Sequence, residues 1–393
     1  MTIECKHLSL EGCYLAGALC KTDKAVPVEE VTCTRCLANT KPGPQTINSV
    51  TAGLALRWAR KNGIALDTER QQFLWRYVKC ESSECMGSAN KASAKTINLI
   101  CEQSPGDVMT LTAAVESLAT IYPGRWSIGV GGTAVEIWDN NPHVKRADPD
   151  ESGVLNIKVE YPSIHRSNQH HIPFLGAYTE FLSAVLGVGL PLATNRPHLY
   201  LSDEEKNWMS QVAEMTDGRE VHYSIVDAGV KEDYTTKQWP IEHYQTVVNE
   251  TRHKTQWVQV GSLEHDHPLL DNVIDLRGKT DTRQLIRLVY HSKCGLGPVT
   301  FLQHICAAWQ KPYICLLGGR EPVTWTTYPF QHTLHTMGQL SCCQDNACWK
   351  SRVVGPSDSL CEQPVLSGLR PVGRCMAMIQ PSEVISIINR IVI

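Results

Sequence analysis

The densest chemistry in this sequence lies in its cysteines. Sixteen are spread unevenly over 393 residues. Cys5, Cys13, Cys20, Cys33, Cys36, Cys80 and Cys85 crowd the front, and Cys342, Cys343, Cys348, Cys361 and Cys375 the rear. In a reducing compartment, clusters of this kind are more often metal ligands than bridges. Cys33-x2-Cys36 sets two thiolates on one tight turn, facing a single tetrahedral ion. Cys20 with His7 or Cys13 completes a structural zinc site; the alternative is a set of buried free thiols. Cys80 and Cys85 either join a second site or stay free. At the rear, Cys343, Cys348, Cys361 and Cys375 suit zinc or a single iron, with Cys342 an adjacent substitute. The expected role of both clusters is scaffolding.

A second set of residues has the types that group transfer requires. Asp107 follows Pro105-Gly106 directly before a helix. A carboxylate there either takes a proton from a hydroxyl or simply caps the helix. Gly106 permits a tight turn beside a substrate. Lys237 precedes the Gln-Trp-Pro that opens another helix, with Lys231 a weaker candidate for the same anion; Thr235 and Thr236 either bond phosphate or cap that helix. Thr300 begins the helix bearing His304, and the free amides of a helix start suit a diphosphate. His304 itself reads equally as a packed core residue. Gly318 and Gly319 end a strand where backbone can approach a nucleotide, and Glu321 follows in reach of a ribose or sugar hydroxyl. The segment from Tyr161 to Phe174 offers His165, Asn168, His170 and His171 as polar acceptor contacts; its spacing does not support a metal. Gly129–Gly132 lacks the full dinucleotide fingerprint, so no NAD site is expected.

The elements that must position these groups are legible as alternation. INLICEQ reads as a strand, and the stretch from Val108 to the Tyr122-Pro123-Gly124 stop as an amphipathic helix. WSIGVGG is a strand, AVEIWDNNPHV a short helix, LNIKVEYP a strand, and residues 174–190 a helix. A second series begins near residue 220: VHYSIVDAG, TQWVQVGS, CGLG and PYICLLGG as strands, with helices between them. Strand–helix alternation predicts parallel sheets covered by helices. The expected fold is α/β: two Rossmann-like domains facing a cleft, with ligands at the carboxyl edges of the sheets. Residues 1–92 form a Cys-rich and helical module, 93–212 the acceptor domain, 213–340 the donor domain, and 341–393 a Cys-rich metal-binding tail. That tail is expected to lack regular elements until a closing helix at EVISIINRIVI.

Composition bounds the class. Hydrophobic residues are 42% and charged residues 20%, which fits a globular rather than a disordered chain. The net charge of −3 provides no broad basic field for nucleic acid. No apolar run reaches a membrane span, and the first residues lack a signal-peptide core. A cytoplasmic protein is expected, with homo-oligomerisation left open.

The motifs, taken in order, resemble glycosyltransferase family 9, the lipopolysaccharide heptosyltransferase family, over roughly residues 97 to 340. Four segments carry the likeness: SPGDVMTLTAAVESLATIYPG, GGTAVEIWDNNPHV, DYTTKQWPIEHYQTVV, and the run from DLRGKT through His304, Lys311-Pro312 and Gly319 to Pro322. The resemblance implies a GT-B-type pairing of the two domains and an inverting transfer from a nucleotide-activated sugar, ADP-heptose-like, that needs no metal for catalysis. It implies that Asp107 is the base that deprotonates the acceptor hydroxyl and that Lys237 steadies the leaving diphosphate. The rear cysteines are similar to the iron site of bacterial autotransporter heptosyltransferases. One departure stands out. Where the family carries Asp-Ser/Thr-Gly before its His, this chain has Gly297-Pro298-Val299-Thr300, with no acid.

The partners expected are a nucleotide-sugar donor and a macromolecular or glycan acceptor. The alternative reading is an inactive zinc-module recruiting protein on the same scaffold, or a transferase acting on a modified base in DNA.

Overall fold

The computed structural model describes Thr2–Glu4, Ala25–Pro27 and residues 96–392, except 161–165, 169, 171, 209–210, 219–220 and 356–357. The first two segments pair as short antiparallel strands. The expected N-terminal zinc ligands His7, Cys20, Cys33 and Cys36, the helices of 46–78, and His165 lie outside the described residues. Contacts divide the chain into two units, 1–95 with 180–190, and 96–179 with 191–393. Both sheets described below belong to the second.

The first sheet has four parallel strands: β1 (Thr96–Cys101), β2 (Ser127–Gly132), β3 (Val144–Arg146) and β4 (Val154–Lys158), in the order β3-β2-β1-β4. Between β1 and β2 runs α1 (Pro105–Ile121). Proline at its first position and Asp107 in its first turn favour initiation there. Val108, Leu111, Ala114, Val115 and Leu118 are fully or almost fully buried, so packing fixes where the helix starts and where Asp107 points. The stretch expected as one short helix from Ala134 to Val144 is instead a 3₁₀ turn, Val135–Trp138, followed by β3. Asn140 at φ +62° and Pro142 interrupt any helix there. After β4 the chain continues into α2 (Phe174–Leu186).

The second sheet is all parallel: β5 (Tyr223–Val226), β6 (Gln256–Gln259), β7 (Ile274–Asp275), β8 (Gly295–Pro298), β9 (Tyr313–Gly318) and β10 (Gln331–His335). Their order is β10-β9-β8-β5-β6-β7. The four central strands match the sequence expectation. The edge strands β7 and β10 escape it, because one is two residues long and the other is polar and only half-buried. The helices α3 (Ile241–Thr251), α4 (Thr282–His291) and α5 (Phe301–Ala308) connect the strands. Topologically, β5 starts the sheet and β8 returns beside it, so the strand order reverses between these two. Their carboxyl ends are where such sheets hold ligands.

The tail differs from the expectation of no regular structure. Residues Pro364–Ser367 (β11) and Arg370–Gly373 (β12) form an antiparallel hairpin, closed at Gly368, whose φ of +55° suits glycine. The closing helix α6 (Pro381–Ile391) packs against α3. Its Val384 and Ile388 join Trp239, Tyr244, Val248 and Trp257 in one core, and the Trp239 indole N–H donates to the Ile379 carbonyl at 3.0 Å. The tail is therefore part of the core of the second sheet. Truncating the fully buried Ile388 to alanine is expected to lower unfolding stability by about 2–5 kcal/mol in a denaturant titration; no measurable loss contradicts this packing.

Candidate active site

Lys237 is the centre of the arrangement. It ends a 3₁₀ segment, Glu232–Lys237, just before α3. Its ammonium donates to the Val299 carbonyl at 3.0 Å and lies 2.9 Å from a Glu321 carboxylate oxygen. Burial pulls Lys237 below its ordinary range, while Glu321 opposes that shift. Burial also acts to raise Glu321, but Lys237 and Arg320 outweigh it and keep the carboxyl below its usual range. Glu321 contacts the Arg320 guanidinium as well. Arg320 in turn lies over the rings of Tyr234 and Trp349, at 5.1 and 5.6 Å from their centroids.

Asp107 occupies the first turn of α1 and is half-buried. One carboxylate oxygen accepts the Ser104 N–H at 3.0 Å, so Asp107 caps from the third helical position, and the N-cap residue is Ser104 instead. The capping does not exhaust the group, since a carboxylate has several further acceptor positions. Burial pushes its pKa up to about 7, the Ser104 bond and Lys237 pull against this, and Glu321 adds to it. A carboxyl that titrates near neutrality is suited to general base work. Lys237 and Glu321 thus act electrostatically on Asp107.

His304 is a core residue with a defined task. Its Nδ1 lies 2.7 Å from the Tyr328 hydroxyl, and burial drives its pKa down to about 3, so it is neutral at physiological pH. A side chain at Gly106 would come within 3.0 Å of the His304 ring. Gly106 is therefore glycine because α1 and α5 approach closely there.

Thr300 precedes α5 as its N-cap residue, yet its hydroxyl does not cap the helix. It donates to Asp227 at 2.8 Å. Asp227 follows β5 and Thr300 follows β8, so this bond crosses the point where the strand order reverses. The sequence reading missed Asp227. Its one signal was an acidic residue at the carboxyl end of an apolar strand, in Val226-Asp227-Ala228-Gly229.

Other candidates are placed elsewhere. Lys231 is exposed and pairs with Asp233 at 3.8 Å. Thr235 accepts the Val353 N–H at 2.9 Å, and the Thr236 hydroxyl donates to the Lys350 carbonyl at 2.7 Å. Asn168 donates to the Ala347 carbonyl at 3.0 Å and accepts the Trp349 indole N–H at 3.1 Å. These three hold the segment 347–353. Trp349 N–H and Arg320 Nε extend the seam, bonding the Arg320 and Lys350 carbonyls.

Cys342, Cys343, Cys348, Cys361 and Cys375 all line one pocket, beside Gly319, Arg320, Lys350 and Arg374. The soft donors fit a soft cation in kind, and the basic neighbours offset thiolate charge. Burial holds Cys375 protonated, with a pKa of about 11. Among the described residues, no group of three His, Cys, Asp or Glu side chains forms a metal-holding set, so neither zinc nor iron is established here. The space beside the strand-ending glycines is filled by sulfur. A side chain at Gly318 would meet Met376 Sδ at 2.7 Å, and one at Gly319 would meet Cys343 Sγ at 2.8 Å.

The family model for glycosyltransferase family 9 (heptosyltransferase) matches residues 158–351. No curated protein matches the chain in sequence. Among solved structures, a family 9 glycosyltransferase from Veillonella parvula is 13% identical, with 76% of this chain and 96% of that one covered and a TM-score of 0.53. The E. coli ADP-heptose lipopolysaccharide heptosyltransferase II is 16% identical, covering 76% and 98%, with a TM-score of 0.50. The iron-containing dodecameric glycosyltransferase TibC from enterotoxigenic E. coli is 13% identical, covering 76% of each chain, with a TM-score of 0.53. These likenesses establish a shared α/β fold with parallel sheets. No helix among the described residues is long and apolar enough to cross a membrane. The family match over residues 158–351, with the four motifs in the family's order, makes the chain similar to the family 9 glycosyltransferases and supports a glycosyltransferase enzyme.

Proposed function

We propose that this chain transfers a sugar from a nucleoside-diphosphate donor, of the ADP-heptose class, to an acceptor hydroxyl with inversion at the anomeric carbon. The observation that carries the reading is a carboxyl poised near pH 7, Asp107, within electrostatic reach of the buried Lys237–Glu321 pair. The acceptor oxygen attacks the anomeric carbon as its proton passes to the Asp107 carboxylate. The bond from that carbon to the diphosphate breaks, and the leaving group takes the electron pair. A single displacement inverts the centre. Lys237 and the free amides opening α5 offset the charge that develops on the diphosphate. Glu321 holds Lys237 in place and is available to ribose, and neutral His304 keeps α1 and α5 in register. The acceptor is a glycan or another macromolecule. No observation favours an inactive recruiting protein, and the acceptor of a modified base in DNA has no support in the described residues.

Replacing Asp107 with alanine is expected to reduce transfer by about 10²–10⁴-fold while donor affinity changes little. Full turnover in a folded Asp107→Ala protein contradicts the base assignment. Because the base must be ionised, and burial sets its pKa at about 7, kcat/KM should rise tenfold per pH unit below that value and level off above it. A profile flat from pH 5 to 8 is the contrary result.

The five rear thiols are proposed to draw in around a soft metal ion, iron or zinc, with Cys343, Cys348, Cys361 and Cys375 as ligands. Such a metal would supply a scaffold for the tail and take no part in the transfer. Elemental analysis of purified protein should find about one metal ion per chain, lost in a Cys348→Ser, Cys361→Ser variant. A metal-free wild-type protein with full activity contradicts this.

A further inference from the structure

The acid missing before His304 leaves α5 without the carboxylate expected at its start, and Asp227 stands in the neighbouring position from another strand. The Asp227 carboxyl is built in rather than incidental. One oxygen accepts the Thr300 hydroxyl at 2.8 Å. The other is buried without a hydrogen bond and lies 3.3 Å from His267 Nδ1. His267 is itself seated by glycines: a side chain at Gly229 or Gly261 would come within 2.0 or 2.4 Å of its Nδ1. Gly229 follows β5 and Gly261 follows β6, so two strand ends are kept bare to admit this ring. Its residual exposure is small, at 6% of the side chain, and that of Asp227 is 10%.

The consequence for a ligand follows from the charges. Lys237 holds the Val299 carbonyl, while the next residue, Thr300, is tied to a carboxylate. The site therefore changes from cationic to anionic within one residue of the β8–α5 turn. A diphosphate is attracted to the Lys237 side and repelled from the Asp227 side. The half-buried Thr300 hydroxyl spends its proton on Asp227, so it presents only lone pairs outward. That is a receptor for a hydroxyl donor and not for a phosphate oxygen.

We propose that Thr300 accepts a hydroxyl of the donor's sugar, and that Asp227, backed by His267, is the positioning residue that aims it. The clamp rests on the glycosyl-transfer reading above and names the part of the donor it recognises.

The test uses the full chain and a panel of ADP-, UDP- and GDP-sugars, each with its matching nucleoside diphosphate, measured by calorimetry. For whichever sugar nucleotide wild type binds, Thr300→Val and Asp227→Asn should each weaken the complex about tenfold, the value of one hydrogen bond to a charged network. The free nucleoside diphosphate should lose less than about twofold, and Thr300→Ser should restore the sugar nucleotide. The double variant should be no weaker than either single one, because the two residues act as a unit. Thr300→Val is half-exposed and keeps the test alive should Asp227→Asn fold poorly. Equal losses for the sugar nucleotide and the nucleoside diphosphate overturn the clamp and leave Asp227 a structural stitch. So do unchanged affinities in folded variants. Wild type that binds neither class of ligand overturns the glycosyltransferase reading, and the clamp with it, which sets that failure apart from the first two.

Discussion

A buried ammonium has to be compensated wherever a fold puts it, and the neighbourhood of Lys237 is arranged around that requirement. Removing one partner of such a pair leaves an uncompensated charge, which is far costlier than the pair itself is stabilising. Glu321 and the Val299 carbonyl meet the demand from two different strand ends, β9 and β8. Lys237 comes from a third place, the turn before α3. One charge therefore ties together three loops at the carboxyl edge of the second sheet. Asp107, from the first sheet, is tuned by the same charges. A diphosphate entering this site would find a cation already desolvated and held, which is the condition under which electrostatic stabilisation is strongest.

The tail supports the same residues from outside. The segment 347–353 contains Cys348 and bonds Thr235, Thr236 and Asn168, while Arg320 stacks on Trp349. The cysteine sulfurs crowd Gly318 and Gly319, immediately before Arg320 and Glu321. Anything that gathers or loosens the thiols thus acts on the strand end that carries Glu321. This makes the rear cysteines part of the second sheet's carboxyl edge, although they are not among the groups proposed to react.

Much of this was legible in the sequence, and the exceptions are instructive. Apolar runs such as PYICLLGG announce buried parallel strands because both faces must be apolar. Asp107 and Lys237 stood out because each lies near the opening of a helix. The hairpin of residues 364–373 did not, since it is short and half-exposed and is held by its turn and neighbours rather than by periodicity. Asp227 was hidden for a different reason. Its partner Thr300 is 73 residues away, and no local pattern records that two strand ends will be neighbours once the order reverses. His267 is more remote still, because its place is marked only by the glycines that make room for it. Local signals find helix starts and strand cores, whereas contacts across the reversal point require the topology.

In the proposed transfer, Lys237 is the charge that receives the leaving diphosphate. Nucleoside diphosphate release from a sugar-nucleotide panel, compared between wild type and Lys237→Met, tests it. Release by wild type, falling about 10²–10³-fold in a variant that still folds, with a thermal midpoint lowered because Glu321 loses its partner, is the predicted result. Release unaltered in a folded Lys237→Met protein would contradict it.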